Sequence, residues 1–122
     1  MTIQFSVPGQ PIPKGRPRVL RSGITYTPKY TREHEKAIRA YARGAFGFSK
    51  ADPKSHFELS ATFYMRGNRK ADLDNLLKCV MDGITGAIWE DDSQVRSFKG
   101  VSIFYGGINP FTTIIVSTME DP

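Results

Sequence analysis

From Phe57 to Met65 every second residue is apolar: Phe57, Leu59, Ala61, Phe63 and Met65. An extended chain points successive side chains to opposite faces, so this set lies on one side of a strand. After the basic loop Arg66-Gly67-Asn68-Arg69-Lys70 the period changes. Leu76, Leu77, Val80, Met81, Ile84 and Ile88 recur at helical spacing, which predicts a helix from around Asp72–Asp74 to about Ala87, loosened in its second half by Gly83 and Gly86. A strand with one apolar face and a helix with one apolar stripe each need a cover. The economical solution is to pack helices on a sheet.

The remaining segments fit that frame. Ile3–Val7 alternates and reads as a strand stopped by Pro8-Gly9. Pro11, Pro13 and Pro17 keep the following stretch irregular or at a sheet edge. Val19-Leu20 and Ile24–Tyr26 predict a short hairpin turning on Gly23. A helix is expected to begin near Thr31 as N-cap, with Glu33 and Glu35 in its first turn and Ile38, Tyr41, Ala42, Ala45 and Phe46 on its apolar face. Gln94–Tyr105 and Phe111–Thr118 read as strands joined as a hairpin by Gly106–Pro110. A chain of 122 residues is long enough for one core. The expectation is a single α+β domain over residues 1–122, with two main helices packed on a mixed or antiparallel β-sheet.

Its apolar runs are too short to span a bilayer, and its first residues lack the layout of a signal peptide, so a cytoplasmic protein is expected. The single cysteine, Cys79, excludes an internal disulfide and a cysteine-cluster zinc site, and its place in the helical pattern suits a buried thiol.

Charge is distributed unevenly. The net charge is +5. Residues 1–32 hold Lys14, Arg16, Arg18, Arg21, Lys29 and Arg32 and no acid, whereas five aspartates and a glutamate fall between Asp72 and Asp92. Cations that could hold phosphates beside carboxylates that could hold a metal suit a metal-dependent nuclease.

Within the acidic stretch, Asp72-Leu73-Asp74 places two carboxylates on one side if Asp72 is extended. Their repulsion is relieved by a hard cation, and Mg²⁺ sites use one or two carboxylates with phosphate oxygens and water. A helix N-cap explains one of the two aspartates equally well. Asp74, Lys78 and Asp82 are each four apart and share a helical stripe. They suit either two surface ion pairs or a lysine that counters charge on a reacting phosphate. Trp89-Glu90-Asp91-Asp92 follows as a turn that could fold back toward the helix, with Trp89 as its anchor in the core. The alternative for Asp91 and Asp92 is a simple turn before a strand. A calcium loop is excluded because the glycine at its sixth position and the glutamate at its twelfth are missing, and there is no phosphate-binding Gly-x-x-x-x-Gly-Lys. His34 and His56 both lie away from the acidic cluster in sequence.

The joint pattern Asp72-x-Asp74-Asn75-x-x-Lys78-x-x-x-Asp82 followed by Trp89-x-Asp91-Asp92-x-Gln94-Val95 resembles the RusA family of Holliday junction resolvases of bacteria, phages and prophages. The Pro13–Arg18 stretch is similar to the phage and prophage branch. The resemblance implies a homodimeric, Mg²⁺-dependent endonuclease, with Mn²⁺ as a substitute, that cuts four-way junctions symmetrically in DNA recombination and repair. It implies metal ligation and catalysis by Asp72, Asp74 and Asp92, with Lys78 as the essential lysine. It places Asn75, Asp82 and Asp91 in support. Lys14, Arg16, Arg18, Arg69 and Lys70 are expected to bind backbone phosphates. A nuclease for flaps or other branched DNA, and a non-catalytic DNA-binding module, are the alternatives.

Overall fold

The computed structural model describes residues 1–15, 18–47 and 52–120, with Arg18 described in its backbone only. The elements run β1 (Thr2–Pro8), β2 (Arg18–Val19), β3 (Thr25–Tyr26), α1 (Lys29–Phe46), β4 (His56–Arg66), α2 (Leu73–Ile84), a 3-10 turn (Asp92–Gln94), β5 (Val95–Gly107) and β6 (Phe111–Met119). Two helices on a mixed four-stranded sheet make one α+β unit, as the periodicities predict.

The sheet order is β1-β6-β4-β5. Strands β1 and β4 each run antiparallel to β6, and β4 runs parallel to β5. The expected hairpin between the last two strands is therefore overturned, because β4 lies between them. The reason is the crossover. Helix α2 leaves the end of β4 and returns the chain to the start of β5, so β5 can pair with β4 only in parallel. Residues 108–110 then pass over the end of β4, where Gly106 N donates to Gly67 O (2.7 Å) and Gly9 N to Pro110 O (3.1 Å). Crossing two strand spacings takes about 10 Å, which three extended residues can span. The separate hairpin β2-β3 turns through Gly23 as expected, closed by Leu20 N to Ile24 O at 2.8 Å.

The alternating residues of β4 are all buried, and they meet Phe5 and Val7 of β1, Ile114 and Val116 of β6 and the stripe Leu76, Cys79, Val80 and Ile84 of α2. Helix α1 covers the same face with Ile38 and Ala42. The two helices close on Gly83. A Cβ there would stand 2.8 Å from Ile38 Cβ and 3.1 Å from Glu35 O, so this glycine is a packing requirement rather than a weak point. On the other face of the sheet Tyr64 stacks between Phe104 (5.6 Å) and Phe111 (4.3 Å).

Two helix ends differ from expectation. Helix α1 starts at Lys29 with Pro28 as N-cap. Proline's fixed φ marks the start there. Thr31 sits inside the first turn, wholly buried, with its hydroxyl lacking a hydrogen-bond partner, and is not a cap. Helix α2 stops at Ile84 instead of running to Ala87. A tight turn replaces its last residues, with Gly86 N donating to Trp89 O (2.7 Å) and Trp89 Nε1 to Thr85 Oγ1 (3.1 Å). Ala87, Ile88 and Trp89 are still buried, which is why their periodicity looked helical.

Candidate active site

The site is built around helix α2. Asp72 is its N-cap. Its backbone is extended (φ −79°, ψ 116°), and its Oδ1 accepts from Asp74 N at 3.0 Å. The preceding residue is clamped from the far edge of the sheet: Ala71 N donates to the Tyr105 hydroxyl (3.1 Å), which donates to Ala71 O (3.4 Å). Asp72, Asp74 and Asn75 are exposed, and Lys78 is exposed one turn further along.

A second group of charges sits lower on the helix. Lys14 Nζ lies 2.5 Å from Glu35 Oε1 and 3.0 Å from Asp82 Oδ2, with only 19% of its side chain exposed. Burial alone would pull the Lys14 ammonium down, but its hydrogen bonds and attraction to the two carboxylates outweigh that and hold it above the ordinary lysine value. Asp82 is thus paired with Lys14 from the N-terminal segment. Among the described residues, the ion pairs found are Lys14 with Glu35 and Asp82, and Lys29 with Glu33, so the alternative of two surface pairs along Asp74, Lys78 and Asp82 is not formed. Arg39 closes the C-terminal end, donating to Asp82 O (3.0 Å) and Thr85 O (3.2 Å).

The third group is the turn after Trp89, whose ring is fully buried against Phe57 (centroids 5.7 Å apart). Asp91 caps the 3-10 turn, accepting from Ser93 N at 3.0 Å. Gln94 returns the bond: its Oε1 accepts from Glu90 N (2.9 Å) and Asp91 N (3.2 Å). Its Nε2 donates to Asp52 O (3.3 Å) and Ser55 O (3.1 Å) ahead of β4. The neighbouring carboxyls then diverge. The Ser93 backbone bond, then the bond with Asp92, lowers Asp91. The bond with Asp91, then burial and the like charges of Asp91 and Asp82, raises Asp92 against the pull of Lys78. Asp82 and Lys78 thus act on the Asp92 carboxyl electrostatically, in opposite senses.

Among the described residues no three His, Cys, Asp or Glu side chains stand close enough to hold a metal by themselves. The donors at Asp72 and Asp74 are nevertheless of the kind a hard divalent cation takes, and two carboxylates leave room for phosphate oxygens and water. Arg69 and Lys70 are exposed in the loop before Asp72. Arg16 lies outside the described residues, as does the Arg18 side chain. His34 is half-buried in α1, and burial lowers its imidazole against the opposing charge of Glu35.

Sequence reasoning missed Glu35 and Arg39, which look like ordinary polar positions of α1, and Tyr105, whose hydroxyl reaches Ala71 from the end of β5, the strand parallel to β4. Gln94 stood in the motif without an assigned role. Its signal was a capping-box glutamine three residues after Asp91.

No helix among the described residues is long and apolar enough to cross a membrane. An uncharacterised protein of Bacillus subtilis (strain 168), YqaN, is 30% identical over 125 residues, an alignment that covers 84% of this chain and 87% of YqaN. Residues 8–117 match the endodeoxyribonuclease RusA family, a span that takes in both helices and the Trp89 turn. With that match spanning nearly all of its length, this chain belongs to the RusA family of endodeoxyribonucleases.

Proposed function

We propose that this protein is a Mg²⁺-dependent, homodimeric endonuclease that resolves four-way DNA junctions in recombination and repair. The observation that carries this reading is the family match over residues 8–117, a span that holds the Asp72–Asp74 pair at the head of α2 and the Asp91–Asp92 turn. Asp72, Asp74 and Asp92 would hold Mg²⁺, or Mn²⁺ in its place, with Asn75, Asp82 and Asp91 supporting them. When bound, the ion neutralises the scissile phosphate and lowers the pKa of an attacking water.

The chain's own residues supply the rest. Lys78 counters negative charge that develops on the phosphate oxygens during in-line attack. Arg69 and Lys70, with Arg16 and Arg18, grip flanking phosphates without reading sequence. Lys14 meets Glu35 and Asp82, so its part is to tie the N-terminal segment to α2 rather than to meet phosphate directly. Two copies about a two-fold axis would present two such sites to opposed strands.

The test offers a mobile four-way junction, a flap and a plain duplex side by side with Mg²⁺. The junction should be nicked in two opposed strands. Equal cleavage of all three would favour a general branched-DNA nuclease. One observation favours a non-catalytic DNA-binding module: Asp72 and Asp91 both serve as caps. Asp74→Asn separates the two, since the enzyme variant should bind junctions and fail to cut them.

A further inference from the structure

A groove of about 540 Å³ lies directly beside Asp72. One wall is residues 10–15 and the other is the loop from Arg69 to Asn75. Its volume falls within the range of about 300–1,000 Å³ that small-molecule sites occupy.

Both walls are held in place by hydrogen bonds, one of which joins them to each other. Gln10 grips the end of β4 as a strand would: its Oε1 accepts from Arg66 N (2.8 Å) and its Nε2 donates to Arg66 O (3.3 Å). Lys14 N donates to Asn75 O (2.8 Å), and its ammonium is fixed by Glu35 and Asp82. The opposite wall is fixed by Tyr105 at Ala71. The groove therefore exists before any ligand arrives.

Its chemistry is graded. The apolar side chains of Ile12, Pro13 and Met65 line it, and Tyr30 contributes a ring that is 49% exposed. Gly15 gives the Tyr30 ring its place, since a Cβ there would stand 3.1 Å from the Tyr30 hydroxyl. Arg69 and Lys70 lie on the rim, and Asp72 and Asn75 at the end next to the acids. A flat, partly apolar group beside a ring, joined to an anion near two cations, is the description of a nucleotide.

We infer that this groove receives one nucleotide of the bound DNA, unstacked from its neighbours, with its base against Tyr30 and its phosphate toward Arg69 and Lys70. The inference rests on the reading of the protein as a DNA nuclease and adds a place for the base next to the cut. Unstacking a base costs least where the base is mismatched, damaged or already single-stranded.

The test couples the base to the ring. Junctions carrying one abasic position, moved stepwise past the cut, are titrated with protein in Ca²⁺, and the intact junction is also assayed for cleavage in Mg²⁺. With the wild type, loss of the base at one position should weaken binding about fivefold or more, fivefold being the low end for base–aromatic stacking. With Tyr30→Ala, intact and abasic junctions should bind alike, and Tyr30→Phe should restore the difference. The half-exposed ring should leave the melting temperature near wild type; if Tyr30→Ala melts early, Tyr30→Leu keeps the bulk without the ring. Equal abasic effects with and without the ring at every position overturn the inference while leaving junction cleavage standing. Failure to cut the intact junction overturns the nuclease reading by itself, and failure to bind it overturns both.

Discussion

Lys14 Nζ and Asp82 Oδ2 stand 3.0 Å apart, and this contact joins the proline-rich N-terminal segment to the helix that carries the aspartate pair. Two carboxylates, Asp82 and Glu35, converge on one ammonium that is mostly shielded from water. Removing it leaves two like charges facing each other.

Lys14→Met should therefore destabilise the fold by about 1–2 kcal/mol, between the values for exposed and for buried pairs. The Lys14 pKa is raised on folding, so its contribution is complete below the unfolded lysine value and disappears as pH rises through the higher folded value. Urea unfolding should show a gap between wild type and variant at pH 7 that closes only at strongly alkaline pH. A gap independent of pH would mean that the ammonium is not the source.

None of this contact was legible in the sequence. The alternation of β4 and the helical stripe of α2 are set by one face meeting one core, so they can be counted along the chain. So can the Asp72-x-Asp74 pair, which needs only its own backbone. The partners of Lys14 come from two different helices and depend on how these pack. The β5–β6 hairpin failed for the same reason: a short Gly-Pro loop between two strands does not say whether a third strand has been laid between them, and only the α2 crossover decides that.

Gly83 is a packing contact that propensity misreads. Gly83→Ala should cost about 1–3 kcal/mol, as overpacking does, although alanine is the better helix former. Thermal unfolding measures it. A stabilised variant would mean that α1 can retreat from Ile38 without loss.

Cys79 is wholly buried on α2, and burial, with Glu35 and Asp82 nearby, pushes its thiol up to about 12. At neutral pH essentially no thiolate is present. Iodoacetamide should leave the folded protein unmodified over hours and label it within minutes in denaturant, as read by mass spectrometry. Cys79→Ala should cut junctions at the wild-type rate after correction for any folding loss.

Chelation bears on the proposed metal. EDTA should abolish cleavage, and Mg²⁺ or Mn²⁺ should restore it, while the circular dichroism spectrum stays unchanged because the core does not involve the acids. A spectrum that collapses with chelator would instead mark a structural ion.

Asp91 and Asp92 provide the sharpest division, because adjacent carboxyls have opposite environments. Asp91 is bound to Ser93 N and holds the turn. Asp92 is raised, chiefly by its bond with Asp91. Asp91→Ala should lower the melting temperature by a few degrees, as loss of a cap does. Its effect on cleavage should be the smaller of the two. Asp92→Asn removes a charge that its neighbours disfavour, so stability should hold or rise slightly. Its cleavage rate should fall by about 100-fold or more, the scale on which loss of one reacting-site electrostatic group is felt. Melting curves and single-turnover cleavage of one labelled junction measure both effects. If Asp91→Ala were the inactive variant and Asp92→Asn the active one, the third ligand would have to be reassigned to Asp91, and the cap would then be part of the chemistry.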